Sequence, residues 1–304
     1  MTDTGERLRI LAEAEKYDGV APFSESFVRG IREDLGHRHF EERSGGELAG
    51  LAALAGDGSV ELVVHPAVRR RGHGSSLIRA VLEANPGAGF WAHGNLPEAR
   101  QTARRLGMEQ VRELIVMGID GEALAAGARP NVPAGYEALH YPEAVKRFGR
   151  DAVEAQWLAV NNDAFSWHPE QGGWDAERLR RGMDTDWFDP EGVWFLYRGE
   201  EMAGFHWTKM HPGKVGEVYV IGLSSSFRGH GLGAPLLSLG LEHLTGRGAD
   251  EVILYVEADN GPAVHRYDSM GFTVRESHVV YKLPSMAGFH GDGIHTTIRE
   301  NAAD

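Results

Sequence analysis

The stretch from Glu217 to Ala234 carries the residue types with the clearest chemical potential in the chain. It reads as an apolar strand, a serine-rich loop, an arginine and three alternating glycines, followed by a helix start. Backbone N–H groups between Gly229 and Gly233 can point in one direction, and the helix dipole favours negative charge there. Pro235 fits the first helical turn, where its missing N–H group costs nothing. The stretch therefore predicts a cradle for an anionic group.

A similar pattern occurs earlier in the chain, at residues 61–76. It also begins with a glutamate and an apolar strand, and it leads through Arg-Gly-His-Gly into a helix. We align Arg71 with Arg228 and, further downstream, Asn95 with Asn260. The repetition indicates a tandem duplication and hence two domains.

The 304 residues suffice for two domains that each bury a core. We place the N-terminal domain at residues 1–128, a linker at 129–135, the C-terminal domain at 136–284 and a polar tail at 285–304. The whole Ala-, Gly- and Pro-rich segment 121–135 is the linker candidate. Residues 2–17 are predicted as a strand-to-helix entry, residues 89–92 as a strand, and residues 113–119 as the last strand of the first half. Helices, hairpin strands and then strand–turn–helix units in each half predict an α/β (α+β) fold, in which helices flank a mixed, mostly antiparallel central sheet.

Composition excludes several function classes. Hydrophobic residues make up 42% and charged residues 25%, which is typical of a soluble globular protein. The net charge of −13 argues against a nucleic-acid partner. The absence of cysteine excludes disulfides and thiolate catalysis, and the 15 histidines lack helical metal-binding spacings, so we expect no metal. No apolar run predicts a signal peptide or membrane span, so we expect a cytoplasmic protein. We also expect a monomer.

Three ligand classes compete for the glycine turn. A P-loop requires Lys and then Ser or Thr after the last glycine, which the turn does not offer, so ATP or GTP is disfavoured. The run from Gly229 to Ala234 does satisfy the dinucleotide pattern G-x-G-x-x-G/A. A dinucleotide site therefore stays open, although the turn lies late in its domain rather than after the first strand of a βαβ unit. The third candidate is the pyrophosphate of an acyl-CoA.

The acyl-CoA candidate is supported by a family resemblance. The matching residues are Arg228–Ala234, Asn260, Ala263, Tyr267 and Gly271-Phe272, and together they resemble the GNAT acetyltransferases. Longer phrases in both halves, among them HPEQGGW and GFHWTK, resemble the mycothiol synthases, a family with two GNAT domains. The resemblance implies that acetyl-CoA is the co-substrate and that the C-terminal domain performs the chemistry.

The implied reaction moves acetyl to the cysteinyl amine of desacetylmycothiol, a cysteinyl glucosaminyl-inositol. An ammonium must lose a proton before it attacks, and Glu217 is the candidate base. A thiolate leaves more readily beside a proton donor, and Tyr267, on a helix capped by Asn260, is the candidate acid. Backbone N–H groups of residues 221–223 are expected to hold the thioester carbonyl if Gly222 marks a β-bulge.

Other site residues follow from the resemblance position by position. The implied substrate contacts are Glu25, Glu170, Lys209, Glu217 and Tyr255. The implied acetyl-CoA contacts of the C-terminal domain are Ile221, Gly222, Leu223, Arg228, Gly229, His230, Gly231, Leu232, Gly233, Ala234, Asn260, Gly261, Pro262, Ala263, Val264 and His265. Those of the N-terminal domain are Val63, Val64, His65, Arg71, Gly72, His73, Gly74, Ser75 and Ser76.

The duplication suggests that the two acetyl-CoA sites differ in activity. Alignment on Asn95 and Asn260 puts Thr102 opposite Tyr267, so the first half lacks the candidate acid. We therefore expect binding without turnover there. Two alternatives remain open: a GNAT enzyme for another amine, such as an aminoglycoside or a peptide, and an acyl-CoA-sensing module without turnover.

Overall fold

A computed structural model describes residues 3–166 and 171–284. Its contacts divide the chain into two compact units. The first unit contains the residues up to Arg112 together with those from Val279 onward, and the second unit runs from Glu113 to His278. Glu170 and the tail at 285–304 lie outside the described residues.

The first unit begins with two helices and continues into strands. Its elements are α1 (Asp3–Asp18), α2 (Glu25–Arg32), β1 (Arg38–Ser44), β2 (Glu47–Leu54), β3 (Ser59–Val64), α3 (His73–Ala84), β4 (Gly89–Ala92) and α4 (Pro97–Arg105). The elements that follow are β5 (Glu109–Asp120), α5 (Gly121–Gly127), β6 (Glu137–His140), α6 (Tyr141–Phe148), α7 (Arg150–Ala164), α8 (Ala176–Met183), β7 (Val193–Arg198), β8 (Glu201–His211), β9 (Val215–Leu223), α9 (Gly233–Gly246), β10 (Glu251–Glu257), α10 (Gly261–Ser269) and β11 (Thr273–Lys282).

Each unit contains a mixed, mostly antiparallel arrangement of strands flanked by helices, which confirms the predicted fold class. In the first unit β1, β2 and β3 are antiparallel, β3 runs parallel to β4, and β4 pairs with residues 279–281 of β11. In the second unit β6 to β9 are antiparallel, β9 runs parallel to β10, and β10 pairs with residues 114–120 of β5.

The last strands of the two halves are therefore exchanged. Residues 113–119, predicted to close the sheet of the first half, belong to the second unit and pair with β10, so this assignment is wrong. The end of the chain in turn pairs with β4 of the first unit. The proposed boundary near residue 128 follows the sequence repeat, whereas the contacts divide the chain after Arg112 and after His278.

Several local assignments also need correction. The segment 121–135 was expected to be a linker, yet its first part forms α5, because its alanines favour helix and Leu124 is buried in the core. The entry at residues 2–17, expected to combine a strand and a helix, is one helix from Asp3 on. Strand β1 was missed, since its sequence RHFEERS offers no apolar alternation.

Two apolar clusters fix the sheet of the second unit from opposite faces. Trp157 on α7 packs against Phe205 and Trp207 on β8, with ring centroids 5.9 and 5.0 Å apart. On the other face, Leu237 and Leu241 on α9 are buried in a cluster with residues of β9 and β10. This packing holds β8, β9 and β10, the strands that carry the candidate site.

Gly240, in the interior of α9, is expected to be essential for stability. A Cβ there would lie 2.0 Å from Cε1 of His206, whose buried ring donates through Nδ1 to the Leu236 carbonyl at 3.0 Å. Burial lowers the pKa of His206 to about 4, so the ring is neutral at physiological pH. We expect Gly240→Ala to lower the free energy of unfolding by about 1–3 kcal/mol, measured in urea.

Gly246 is the matched control, because a Cβ at this last residue of α9 would meet nothing within 4 Å. Gly246→Ala should leave the free energy of unfolding unchanged or slightly raised, since alanine favours helix. Equal stability of the two variants would show that the His206 ring does not confine this helix.

Candidate active site

The parallel strands β9 and β10 part at Glu217. They share three pairs, of which the last joins Glu217 to Ile253. Beyond this point β9 remains paired with β8 up to Leu223, and β10 remains paired with β5 up to Glu257. In the described part of the chain, residues 218–223 thus have no strand partner on their β10 side. The parted strands leave backbone N–H and C=O groups for an extended ligand.

β9 carries a β-bulge at Tyr219, because Val218 and Val220 pair with consecutive residues of β8. The condition set for Gly222, that it marks a β-bulge, is not met. Gly222 is regularly paired, and a Cβ there would lie 3.0 Å from the Ala164 Cβ at the end of α7. Glycine is thus needed for close helix packing, while the bulge lies nearer to Glu217.

Glu217 is a buried carboxylate, only 7% exposed. Its Oε2 lies 2.5 Å from Nε2 of His211, the last residue of β8. Its Oε1 makes no hydrogen bond within the described part of the chain. Lys209 pairs with Glu217 across the two strands, and its ammonium lies 4.8 Å from the centre of the Trp187 ring. One carboxylate oxygen is thus fixed, and the other is available to a ligand.

Tyr255 completes this group from β10. It lies two residues beyond Ile253, the partner of Glu217, and therefore on the same face of the sheet. Partial burial, together with the negative charges of Glu217 and Glu276, raises the pKa of Tyr255 to about 12. Its hydroxyl accordingly stays protonated at neutral pH and can donate a hydrogen bond.

The glycine turn of the second unit is exposed between two buried anchors. Phe227 and Leu232 are 0% and 1% exposed, whereas residues 228–231 face solvent. Gly229 and Gly231 have φ values of 80° and 75°, a left-handed conformation that other residues adopt at a cost. The turn leads directly into the N-terminus of α9. Its backbone is therefore preformed beside a positive helix end.

The side chain of Arg228 connects the glycine turn to the end of α7. Its guanidinium donates to the carbonyl oxygens of Asp163 and Ala164, at 3.4 and 3.3 Å. These residues end α7, so the positive charge also lies at the negative end of that helix dipole. The arginine of the sequence motif, Arg228, therefore holds the turn against the end of α7.

The corresponding arginine of the first unit is Arg69. Its Nε donates to the carbonyl of Val64, five residues earlier, as the Nε of Arg228 does to the carbonyl of Leu223. The alignment of Arg71 with Arg228 was therefore wrong. Three consecutive arginines made the sequence match ambiguous, and the hydrogen bonds to the strand carbonyls resolve it.

Backbone conformation supports the same correspondence. Positive φ values of 64° at Arg70 and 96° at Gly72 match those at Gly229 and Gly231. A non-glycine residue in the left-handed region costs roughly 1–2 kcal/mol. The first turn thus reproduces the second with a strained residue at one position.

The first unit contains a cavity of about 370 Å³ beside this turn. The turn, the end of β3, the strand β4 and the helix α4 all contribute to its lining, for example through Val64, Gly72, Ser75, His93 and Thr102. The cavity occupies the place where β3 and β4 part after Glu61, their last recorded pair.

Glu61 differs from Glu217 in its hydrogen bonds. It is 2% exposed, Oε2 accepts from the Ser24 amide at 2.7 Å, and Oε1 accepts from His93 Nε2 at 3.0 Å. Both oxygens of Glu61 are therefore engaged within the unit. This carboxylate is held as a structural group, whereas Glu217 keeps one oxygen open.

Tyr267 lies on α10, which begins after Asn260. The predicted cap is confirmed, because the Asn260 side chain accepts from the Ala263 amide at 3.4 Å. The Tyr267 ring lies 5.7 Å from that of Phe272, and burial raises the pKa of Tyr267 to about 12. Its hydroxyl makes no hydrogen bond within the described part of the chain, so this protonated donor is available.

Comparison with known proteins identifies the family. Residues 157–272 match the sequence profile of the acetyltransferase (GNAT) family. The chain is 51% identical over 292 residues to the mycothiol acetyltransferase of Corynebacterium aurimucosum, covering 92% of this chain and 95% of that protein. The chain belongs to the mycothiol acetyltransferase family. It is also 49% identical to the mycothiol acetyltransferase of Corynebacterium efficiens, covering 90% of each chain.

Solved structures show that the fold of this family is the tandem GNAT fold. A GCN5-related N-acetyltransferase from Sphaerobacter thermophilus matches with a TM-score of 0.66 and 23% identity, covering 92% of this chain and 91% of that one. A tandem GNAT protein from the clavulanic acid biosynthesis pathway matches with a TM-score of 0.66 and 20% identity, covering 91% and 93%. The family resemblance expected from the sequence is confirmed.

The structure brings together three of the site residues implied for this family. Lys209, Glu217 and Tyr255 share one region of β8, β9 and β10. Glu25 is the first residue of α2 in the first unit, where it is exposed. Glu170 lies outside the described residues. His211 was missed, since no sequence motif marks a histidine six residues before a glutamate.

Two further observations concern residues 3–166 and 171–284 only. Within these ranges no group of three or more histidine, aspartate and glutamate side chains is placed to hold a metal ion. Within the same ranges, no helix combines the length and the apolar character needed to cross a membrane.

Proposed function

We propose that this family member transfers acetyl from acetyl-CoA to the cysteinyl amine of desacetylmycothiol, as the last step of mycothiol biosynthesis. Relatives that carry the name mycothiol acetyltransferase cover nearly the whole chain. The observation that carries the proposal is Glu217, a buried carboxylate with one open oxygen at the point where β9 and β10 part. A base in that position suits an amine that must lose a proton before it attacks.

We infer that acetyl-CoA lies between the parted strands of the second unit. The backbone of residues 221–223, which in the described chain has no strand partner on its β10 side, suits the amide-containing arm of the molecule. The turn at residues 228–234, with its left-handed glycines and the start of α9, suits the pyrophosphate. The start of α10 from Asn260 to His265 supplies a further helix N-terminus, which follows the end of β10.

The reaction requires two proton movements. The ammonium loses one proton to Glu217, and the amine nitrogen then attacks the thioester carbonyl carbon. A C–N bond forms, the C–S bond breaks, and the second proton of the nitrogen ends on the sulfur as the CoA thiol. Lys209 and Tyr255, beside Glu217, are placed to donate hydrogen bonds to the hydroxyls of the acceptor.

The Tyr267 hydroxyl is assigned a role in stabilising the sulfur as it leaves. A phenol with a pKa of about 12 is a weaker acid than a thiol, whose pKa is about 8.5 in a model peptide. We therefore assign Tyr267 mainly as a hydrogen-bond donor that stabilises the developing thiolate, rather than as a full proton donor. This role needs a protonated hydroxyl without another partner, which Tyr267 has in the described part of the chain.

For the first unit we propose acetyl-CoA binding without turnover. Its cavity lies beside the turn that matches the second one. Both oxygens of Glu61 are engaged, and the Thr102 hydroxyl, aligned with Tyr267, donates to the Glu98 carbonyl at 2.8 Å. Neither group is free to move a proton for a substrate.

Gly231→Ala tests the proposed pyrophosphate site. A Cβ there would meet nothing within 4 Å, so the change acts through the left-handed φ of 75° and the direction of the neighbouring N–H groups. We expect the KM for acetyl-CoA to rise about tenfold, matching roughly 1–2 kcal/mol of backbone strain or lost contact.

Gly199→Ala is the control for this variant. Gly199 also has a positive φ, 64°, and open space around it, but it lies in the hairpin between β7 and β8. Gly199→Ala should lose about as much thermal stability as Gly231→Ala, and its KM for acetyl-CoA should stay unchanged. A KM change in both variants would point to a global effect and against a pyrophosphate site at the turn.

The function itself is tested by acetyl-CoA consumption with purified desacetylmycothiol, compared with glucosamine, lysine and an aminoglycoside. We expect kcat/KM to be at least about a hundredfold higher for desacetylmycothiol. Preference for another amine would reject the proposed acceptor and keep the acetyltransferase. Acetyl-CoA binding without turnover on any amine would favour the acyl-CoA-sensing alternative.

A further inference from the structure

His211 lies at a position where it can assist Glu217. A short hairpin follows it, in which Gly213 and Lys214 both have positive φ values, and the chain then returns as β9. This return places Nε2 of His211 2.5 Å from Oε2 of Glu217. The His211 side chain is 30% exposed and that of Glu217 is 9% exposed, so the imidazole links a buried carboxylate to solvent.

We propose that His211 is a positioning residue for Glu217, and that the two side chains together take up the proton of the acceptor amine. His211 holds Oε2 and leaves Oε1 for the ammonium. As the N–H bond of the ammonium breaks, an O–H bond forms at Oε1. The proton then leaves Oε1 through water for Nδ1 of His211, the ring nitrogen that does not bond Oε2, so the carboxylate is restored and the imidazole becomes an imidazolium. The exposed imidazolium then releases the proton to water. This inference rests on the proposed function.

Basicity explains why a pair serves better than a carboxylate alone. A free carboxylic acid titrates near pH 4, an imidazole near 6.5 and an α-amine near 8. Proton transfer from an ammonium to an isolated carboxylate is therefore strongly unfavourable. Sharing the proton with an imidazole brings donor and acceptor closer in basicity, which general-base catalysis requires.

Other charged groups surround the pair and remain in every variant below. Lys209 faces Glu217 from β8, and Tyr255 faces it from β10. Glu276 on β11 acts on Tyr255, and Lys214 in the hairpin pairs with Asp250 at 3.1 Å. A change in pH dependence on replacing His211 can therefore be assigned to the imidazole.

The first unit offers an internal comparison. Glu61 is also bonded to a histidine, His93, but its second oxygen accepts from the Ser24 amide. A histidine beside a buried carboxylate is thus not sufficient for the proposed role. Of the two buried glutamates Glu61 and Glu217, only Glu217 combines a histidine on one oxygen with a second oxygen that is open in the described chain.

Two substitutions separate orientation from proton uptake. The amide of His211→Gln can still donate a hydrogen bond to Oε2, whereas His211→Ala cannot. With desacetylmycothiol we expect His211→Gln to lower kcat about tenfold at neutral pH, with KM for acetyl-CoA unchanged. The acid limb of its kcat–pH profile should move at least about one pH unit lower, because the carboxylate alone then governs it. His211→Ala should lose about thirtyfold or more.

His243→Gln is the matched control. His243 Nε2 lies 3.0 Å from Asp189 Oδ2 on a different part of the second unit, so the variant removes a comparable histidine–carboxylate pair. It should keep the wild-type kcat and acid limb. Thermal denaturation of all variants detects misfolding, and His211→Gln remains informative if His211→Ala does not fold.

The outcomes separate the two proposals. Wild-type kcat and an unmoved acid limb in His211→Gln would overturn the role of His211 while leaving the proposed function intact. An equal shift in His243→Gln would likewise overturn it, since the effect would then be global. Wild-type protein that does not acetylate desacetylmycothiol would reject the proposed function, and this inference with it.

Discussion

Glu217→Gln is expected to lower kcat for desacetylmycothiol by about a hundredfold or more, while the Kd for acetyl-CoA stays unchanged. Glutamine keeps the size of the side chain but cannot accept the proton of the ammonium. Glu217 is 7% exposed and one of its oxygens is held by His211, so water cannot readily replace it as the base. Steady-state thiol release gives kcat, and calorimetric titration gives the Kd.

Glu154→Gln is the control for this variant. Glu154 is 6% exposed, like Glu217, but it accepts from the Tyr141 hydroxyl at 2.8 Å on α7, away from the parted strands. Its replacement should reduce stability without lowering kcat. If Glu217→Gln retained more than about a tenth of the wild-type kcat, Glu217 would not be the base. If it lost acetyl-CoA binding instead, its role would be in binding.

Tyr267→Phe is the second substitution with a large expected effect, a drop in kcat of about thirtyfold to a hundredfold. The ring and its packing on Phe272 remain, and only the donor to the departing sulfur is lost. KM for acetyl-CoA should change by less than about threefold, because the hydroxyl acts mainly as charge develops in the transition state.

The pH dependence gives this prediction a second test. Burial raises the pKa of Tyr267 to about 12, so its hydroxyl is protonated throughout the usual assay range. Loss of the proton begins only as the pH approaches that value, which means that the phenol does not set an alkaline limb below about pH 10. The kcat–pH profiles of Tyr267→Phe and wild type should therefore be parallel there.

Tyr197→Phe is the matched control, because Tyr197 is also buried, burial also raises its pKa to about 12, and its hydroxyl has no partner in the described structure. It lies on β7 in the aromatic core. It should keep the wild-type kcat. A wild-type rate in Tyr267→Phe, or an equal loss in Tyr197→Phe, would remove the proposed donor.

Features that depend on neighbouring residues were readable from the sequence. The strand at Gly89–Ala92 has the predicted bounds, and the Asn260 cap is confirmed. The glycine turn was also recognisable, since the left-handed φ values at Gly229 and Gly231 follow from the residues themselves. These signals, together with the family resemblance, were enough to predict the fold class and the type of reaction.

Features that depend on distant pairing were decided by the tertiary structure. The sequence pattern of β5 indicates a strand but does not specify its partner, so its pairing with β10 could not be predicted. The bulge at Tyr219 arises from the register between β8 and β9. The match of Arg228 to Arg69 is visible only in the structure, in hydrogen bonds to strand carbonyls and in the φ values of the two turns.

The candidate site shows the same division. Glu217 was recognisable from its place before the glycine turn, but its contact with His211 depends on a hairpin that brings the end of one strand beside the next. Residue type and local spacing determine which groups can take part in proton transfer. Strand register and packing determine which oxygen is held, which remains open and how deeply the carboxylate is buried, because those properties belong to contacts between separate segments.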